Sequence, residues 1–305
     1  MDAFDTGADD GAGRGSPGPG KMGRLGGVLH AGMILFTLVL AVPFVAQPII
    51  DWPRMNAAMG IGTALLAGAM LCCLALNFSP WQAAAWFVLA AGIGWLIEFA
   101  GLGWGWPFGE HYAYHPAFAP TLGGGVPLFI PLAWFVLSCT PVVLLRGVSV
   151  RDAGGRWRCR RLLVKSALGA TCLLGWDLVL DPLAVSTGAW TWRDSGGYFG
   201  IPYPNLAGWW VVGAAICLAG FVIEPRRTSP RPTRPGLDRV WAAANVAFLT
   251  LAAVATYNRL GSLLPWGLSM AVLGPFWAGW FASNARPSRS QAADEAVAVT
   301  ADDGR

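Results

Sequence analysis

The feature that most constrains this chain is a series of apolar stretches, each long enough to cross a lipid bilayer as a helix of about 20 residues. They lie at 28–48, 57–77, 81–101, 126–146, 162–185, 205–223, 239–258 and 262–282. With 55% hydrophobic and 12% charged residues, the chain lacks the polar surface of a water-soluble domain. We therefore predict an all-α, polytopic integral membrane protein with about eight transmembrane helices, or seven if one of the weaker stretches does not span.

Basic residues predict how the chain sits in the membrane, because short cytoplasmic connections retain Lys and Arg. The connections after 126–146 and 205–223 contain Arg146, Arg151, Arg156, Arg158, Arg160, Arg161, Arg226, Arg227, Arg231, Arg234 and Arg239. We expect these connections and both termini to be cytoplasmic, in the inner membrane of the cell. Residues 28–282 then form a single transmembrane domain between disordered cytoplasmic tails at 1–27 and 283–305. The basic residues that give the net charge of +4 are interpreted as topology signals and not as a nucleic-acid-binding surface.

Two of the predicted outer connections, 102–125 and 186–204, are unusually aromatic. They contain Trp104, Trp106, Phe108, Tyr112, Tyr114, Trp190, Trp192, Tyr198 and Tyr203. Such residues can form the aromatic belt that membrane proteins place at the lipid interface. They can also roof a cavity between the helices, and the acids described next favour that second interpretation.

Three carboxylates lie inside the apolar body: Glu98, Asp177 and Asp181. An acid at membrane depth costs about 2.5 to 3.5 kcal/mol, so it is a functional candidate by default. Asp177 and Asp181 share a helix face about 6 Å apart along the axis. All three acids are predicted near the outer boundary. The structural alternative is that they join helices through hydrogen bonds, or that Asp181 caps the break at Pro182.

These residues suit proton chemistry better than metal chemistry. A carboxylic acid in an apolar setting can stay protonated and act as a general acid, while a second carboxylate activates water and aromatic faces stabilise a cation. The histidines His30, His111 and His115 lack metal-site spacing, and no phosphate-binding glycine loop is present. We predict no metal and no cofactor. Asn205, beside Pro204, is either a helix N-cap or a ligand for water or a substrate hydroxyl.

Several segments resemble the membrane carotenoid 1,2-hydratases of the gamma-carotene and bisanhydrobacterioruberin hydratase type, a family of carotenoid biosynthesis proteins. They are EFAGLGWGWPFGEHYAY (98–114), GVPLFIPLAW (125–134), WDLVLDPLAV (176–185) and YFGIPYPNLAGWW (198–210), with Trp190 and Trp192 between the last two. The motifs occur in one order over roughly residues 81–210.

The resemblance implies addition of water across the terminal double bond of an acyclic carotenoid end, giving a tertiary alcohol without a redox cofactor. Asp177 and Asp181 would be the acid and base, with their roles unassigned, and Glu98 would orient or tune them. The expected substrate-binding residues are Tyr112, Tyr114, Trp190, Trp192, Tyr198, Asn205 and Trp209. The expected partners are lycopene, gamma-carotene or a C50 bacterioruberin precursor, together with membrane lipid and other enzymes of the carotenoid pathway.

Two alternatives remain open at this point. A prenyltransferase of the lycopene elongase type would need magnesium and cations for diphosphate, whereas the outer connections offer only Arg54, Arg193 and Arg259. A carotenoid-binding or transport protein could use the acids to relay protons or to fix helix packing, although no inverted repeat is evident.

Overall fold

The computed structural model describes residues 51–77, 79–109, 112–145, 148–152, 156–223 and 235–284. Within these ranges the chain forms seven α-helices, which follow the second to eighth predicted spans. They are α1 (Trp52–Asn77), α2 (Pro80–Trp104), α3 (Phe129–Leu144), α4 (Cys159–Thr187), α5 (Tyr203–Ile223), α6 (Pro235–Leu260) and α7 (Leu264–Asn284). The first predicted span, 28–48, the predicted tail at 1–27 and most of the predicted tail at 283–305 lie outside the described residues. Residues 283 and 284 of that second tail belong to α7.

The prediction of a polytopic helical membrane protein is confirmed. Four helical segments among the described residues are long and apolar enough to cross a bilayer: Pro53–Cys72, Pro80–Trp104, Cys159–Thr187 and Tyr203–Ile223. The two acid-bearing helices, α2 and α4, are both in this group. The acids are therefore carried by transmembrane segments and not by surface helices.

The ends of α2 show how the sequence fixes the length of this helix. Ser79 is the N-cap, and its hydroxyl accepts a hydrogen bond from the backbone N–H of Gln82 at 3.2 Å. Pro80 follows at the first helical position, where its missing N–H costs nothing. At the other end Gly105 adopts a left-handed conformation with φ 76° and donates to the carbonyl of Gly101.

The packing of the helices brings the two acid-bearing segments around one core. Helix α4 packs most extensively against α5 and also contacts α3, α6 and α7. Helix α2 packs against α1, α3 and α5. Because α3 and α5 each contact both α2 and α4, side chains from all four helices can converge on one space.

The two aromatic outer connections are joined to each other by a short antiparallel sheet. Strand β1 (Tyr112–Tyr114) pairs with β2 (Trp190–Trp192) so that Tyr112 lies opposite Trp192 and Tyr114 opposite Trp190. Alternate residues of a strand point to opposite faces. The four large aromatic residues therefore share the inner face, and the residues between them, Ala113 and Thr191, are exposed.

Candidate active site

Glu98 on α2 is buried and accepts hydrogen bonds from three aromatic side chains. The hydroxyls of Tyr112 and Tyr114 both donate to Oε2, at 2.6 and 2.7 Å. The indole of Trp134, on α3, donates to Oε1 at 3.0 Å. Burial disfavours the ionised form of a carboxyl group, and donors aimed at both of its oxygens offset part of that cost.

Two glycines on the same face of α2 make room for these donors. Gly94 and Gly101 lie four residues before and three residues after Glu98, which places all three on one side of the helix. A Cβ atom at Gly94 would lie 2.6 Å from Cδ1 of Trp134, and one at Gly101 would lie 2.8 Å from the Tyr112 hydroxyl. The absence of a side chain at both positions thus lets the aromatic donors reach Glu98.

Asp181 on α4 is buried and accepts hydrogen bonds from β2 and α5. The Trp190 indole on β2 donates to Oδ1 at 3.2 Å, and the Asn205 side-chain amide on α5 donates to Oδ2. Asn205 is the third residue of α5, so it lies inside the first turn and does not occupy the N-cap position. Its side chain acts on the acid and not on the helix end.

Asp177 lies one helical turn before Asp181 and is fully buried, with 0% of its surface exposed. Among the described residues, no donor reaches either of its carboxyl oxygens. Asp181 is the charged residue that acts on it most strongly, and a proton held between the two carboxyl groups would join them by a hydrogen bond. The two aspartates therefore form a buried pair in which only Asp181 receives hydrogen bonds from other side chains.

A cavity lies between these elements under the β1–β2 sheet. It is lined by Glu98, Phe108, Tyr112, Tyr114, Ile130, Ala133, Trp134, Leu137, Leu180, Asp181, Trp190, Trp192, Asn205 and Trp209. Two acids thus face one mostly apolar and aromatic space, Glu98 from α2 and Asp181 from α4. This combination can hold a hydrocarbon and move protons at one end of it.

Most of the predicted catalytic and substrate-binding residues line this cavity. Eight of the ten line it, and the exceptions are Asp177 and Tyr198. Asp177 lies behind Asp181 on α4. The Tyr198 hydroxyl donates to the backbone carbonyl of Leu178 at 2.7 Å, which places Tyr198 against α4 and not in the lining.

The aromatic lining is a set of rings in mutual contact. Trp134 stacks on Trp209 with 4.1 Å between ring centroids and 24° between planes. Tyr112 meets Tyr114 edge to face at 5.7 Å and lies 6.0 Å from Trp192. Trp104 and Trp106, by contrast, are 77% and 62% exposed, as an interfacial belt requires. The outer connections therefore supply both kinds of aromatic residue.

The two tyrosines at Glu98 remain hydrogen-bond donors over a wide pH range. Burial raises the pKa of Tyr112 above its ordinary value, and the neighbouring Glu98 raises it further. The same two causes raise the pKa of Tyr114. Both phenols therefore stay neutral and keep their protons directed at the Glu98 carboxylate.

The sequence alone does not distinguish Trp134 or the smaller apolar lining residues of α3 from packing residues. Trp134 ends one of the motifs quoted above, but an indole in an apolar helix is ordinarily a packing residue. Its role depends on the contact between α3 and Gly94 of α2, which lies 40 positions earlier in the chain. A sequence does not reveal such a long-range contact.

The described part of the chain contains no cluster of three or more His, Cys, Asp and Glu side chains able to hold a metal ion. His115 lies in the outer connection, where its Nδ1 accepts a hydrogen bond from the backbone N–H of Ala117 at 3.1 Å. His30 and His111 lie outside the described residues.

Comparison with known proteins assigns this architecture to a family. A family model described as "carotenoid biosynthesis protein" matches residues 58–275, and the chain therefore belongs to the carotenoid biosynthesis protein family. Within that family, 116 residues of this chain are 36% identical to the bisanhydrobacterioruberin hydratase of Haloarcula japonica. That match covers 37% of this chain and 36% of the relative, so it spans only about a third of either protein. No solved structure gives a significant match.

Proposed function

We propose that this protein is a carotenoid hydratase, a hydro-lyase that adds water across the terminal C1=C2 double bond of an acyclic carotenoid end group. The observation that carries the proposal is the cavity in which Glu98 and Asp181 face one apolar, aromatic space from two helices. Family membership and the partial similarity to a hydratase support it. The reaction needs no oxidant, reductant or cofactor, because only the elements of water are added.

In the proposed first step, the aspartate pair delivers a proton to C2 of the substrate. Two adjacent buried carboxyl groups do not both ionise readily, so we propose that Asp177 and Asp181 hold one proton between them. Asp181 lines the cavity and passes this proton on, while Asp177 lies behind it. The electron pair of the double bond forms the new C–H bond and leaves a tertiary cation at C1.

In the second step, water attacks C1 and loses a proton to Glu98, which in this proposal takes the role of base that the sequence prediction gave to one of the aspartates. A base must be ionised, and the three donors offset part of the free-energy cost of a negative charge on the buried Glu98. The oxygen of water bonds to C1, giving the tertiary alcohol. Transfer of the proton from Glu98 back to the aspartate pair then restores the starting state, so protons balance over the cycle.

The aromatic rings have two roles in this proposal. Their faces stabilise the cation between the two steps, in the way that aromatic faces attract ammonium and guanidinium groups. They also give the polyene end a flat, apolar surface to bind. Lycopene, gamma-carotene and C50 bacterioruberin precursors all present a suitable acyclic end, and such lipid-dissolved substrates enter sideways between helices. Other enzymes of the carotenoid pathway are candidate partners.

The proposed orientation places the site on the outer side of the inner membrane. It rests on the arginines between the end of α3 and the first turn of α4, such as Arg158, Arg160 and Arg161. Both termini are then cytoplasmic. Fusion of a reporter that fluoresces only in the cytoplasm to the C-terminus tests this orientation directly.

The function is tested by expressing the chain in bacteria that accumulate lycopene or gamma-carotene and analysing the extracted pigments by mass spectrometry. The proposal predicts a product heavier by one water for each hydrated end. The matched control is Asp194→Asn, because Asp194 is an exposed acid of the outer connection, away from the cavity lining. Unchanged pigment from verified membrane protein, with C50 precursors tried as well, would contradict the proposal.

The elongase alternative predicts a different result in the same strains. Its diphosphate substrate requires cations, and the cavity lining contains no Lys or Arg among the residues that the structure describes. A product that gains isoprenyl units when magnesium and an allylic diphosphate are supplied would favour this alternative over hydration.

A further inference from the structure

The segment between the two aspartates contains a break in the hydrogen-bonding pattern of α4. In a helix, the N–H of each residue donates to the carbonyl four residues earlier. Pro182 lies inside α4 and has no N–H, so it cannot donate to the carbonyl of Leu178. That carbonyl lies directly after Asp177 and three residues before Asp181, inside a membrane-spanning helix, where a backbone carbonyl freed by proline needs another donor.

Tyr198 supplies the missing hydrogen bond from outside the helix. Its hydroxyl donates to the Leu178 carbonyl at 2.7 Å. The tyrosine belongs to the tight outer turn in which Gly196 bridges Gly200 and Tyr198 bridges Ile201. Phe199, the next residue, is in the left-handed region with φ 51° and meets the Tyr198 ring edge to face at 5.3 Å. A non-glycine residue in this region indicates that the turn is held in a specific shape.

We propose that Tyr198 is a positioning residue, which fixes the Asp177–Asp181 segment by donating to the carbonyl that Pro182 leaves without a partner. The proposal rests on the hydratase function above and gives Tyr198 a role different from substrate binding. Tyr198 is half-buried against α4 and is not among the residues that line the cavity. It therefore acts on the proton-holding pair and not on the carotenoid.

The chemistry of the phenol suits this role. Burial raises the pKa of Tyr198 above its ordinary value, and the nearby charges of Asp177 and then Asp181 raise it further. The hydroxyl therefore stays a donor at any pH that the protein meets. Its hydrogen bond anchors the turn that contains Tyr198 onto α4 beside the aspartate pair.

The test is a double-mutant cycle of Tyr198→Phe and Pro182→Ala in the full-length protein. Alanine at position 182 restores an N–H that donates to Leu178, so the Tyr198 hydroxyl should become dispensable. In the native background we expect Tyr198→Phe to lower kcat about tenfold, the factor for loss of one buried hydrogen bond, with KM unchanged. In the Pro182→Ala background the same change should alter kcat less than about twofold.

Tyr203→Phe is the matched control, because Tyr203 belongs to the same region and is 67% exposed. It should leave both constants unchanged. A rise in KM at constant kcat for Tyr198→Phe would make Tyr198 a substrate-binding residue and overturn the proposal. Equal effects of Tyr198→Phe in both backgrounds would overturn it as well.

Thermal unfolding of the four purified variants separates this proposal from the hydratase function. Tyr198→Phe should lower the Tm in the native background and leave it unchanged in the Pro182→Ala background, whether or not a hydrated product is found. If the native protein hydrates no carotenoid, the proposed function is wrong. The Tm values of the double-mutant cycle still decide whether the Tyr198 hydroxyl stabilises α4 at the carbonyl that Pro182 leaves without a donor. If the Tm changes of the two single variants add up in the double variant, the proposed role of Tyr198 is wrong, and the proposed hydratase function is not affected.

Discussion

Glu98 on α2 and Asp181 on α4 face one cavity, yet the two carboxyl groups have different neighbours. Glu98 accepts hydrogen bonds from two phenols and one indole. Asp181 accepts from one indole and one amide, and a second acid without any donor lies behind it. Surrounding donors stabilise a negative charge, whereas an adjacent acid disfavours a second one. The comparison teaches that the groups in contact with two residues of the same chemical type can differ, and this difference is the reason we propose opposite roles for Asp181 and Glu98.

Among the substitutions that test this comparison, Asp181→Asn should lower the rate of hydration most. It removes the group that passes the proton to the substrate but keeps the shape of the side chain. We expect hydration to fall about 10³-fold, within the usual range for loss of a general acid. The measurement is product formation per unit of folded membrane protein, with Asp194→Asn as the control. A loss smaller than about tenfold would show that another group protonates C2.

Glu98→Gln should have the next largest effect. The amide cannot accept a proton from the attacking water, so hydration should fall about 10²-fold. The cation-forming step should survive, because the aspartate pair is untouched. The same assay compares this variant with Asp181→Asn. A larger loss of hydration for Glu98→Gln than for Asp181→Asn would contradict the expected order of the two effects.

Tyr114→Phe tests whether the hydrogen bonds that Glu98 accepts are needed for its proposed role. It removes one of the two phenols on Oε2 of Glu98 and preserves the ring that packs against Trp190 at 5.9 Å. We expect kcat to fall about tenfold, because Glu98 loses one charge-assisted hydrogen bond. Tyr257→Phe, at a 62% exposed tyrosine of α6, is the control. Equal losses in the two variants would argue against a specific role for Tyr114.

Gly101→Ala should have the smallest effect on hydration. It tests whether the missing side chain at position 101 lets the aromatic donors reach Glu98. The new methyl group would lie 2.8 Å from the Tyr112 hydroxyl and 2.9 Å from Cδ2 of Phe108, so Tyr112 must move away from Glu98. We expect a loss of a few-fold in kcat and a lower Tm. Gly103→Ala is matched to it, since nothing lies within 4 Å of a Cβ there. Equal Tm values for the two variants would contradict this account of the glycines.

The sequence predicts the fold and most of the site because both depend on local signals. Span length follows from apolar runs, and Glu98, Asp177 and Asp181 stand out as acids in an apolar body. The short outer sheet and the contact between Trp134 and Glu98 depend on segments far apart in the chain, so no local pattern reveals them. The separation of Asp181 from Asp177 also needs the structure, because a shared helix face does not determine which residue reaches the cavity.

The most direct test of the division of roles uses deuterated water. If the aspartate pair deuterates C2 reversibly, C2 of the cation carries one hydrogen and one deuterium, and rotation about the C1–C2 bond lets the pair remove either of them. Unreacted carotenoid should then gain deuterium in the native protein and in Glu98→Gln, where Glu98 acts only on water, but not in Asp181→Asn. Mass spectrometry of the recovered substrate measures this exchange. Deuterium incorporation by Asp181→Asn, with none by Glu98→Gln, would contradict the account and assign the proton donor to Glu98.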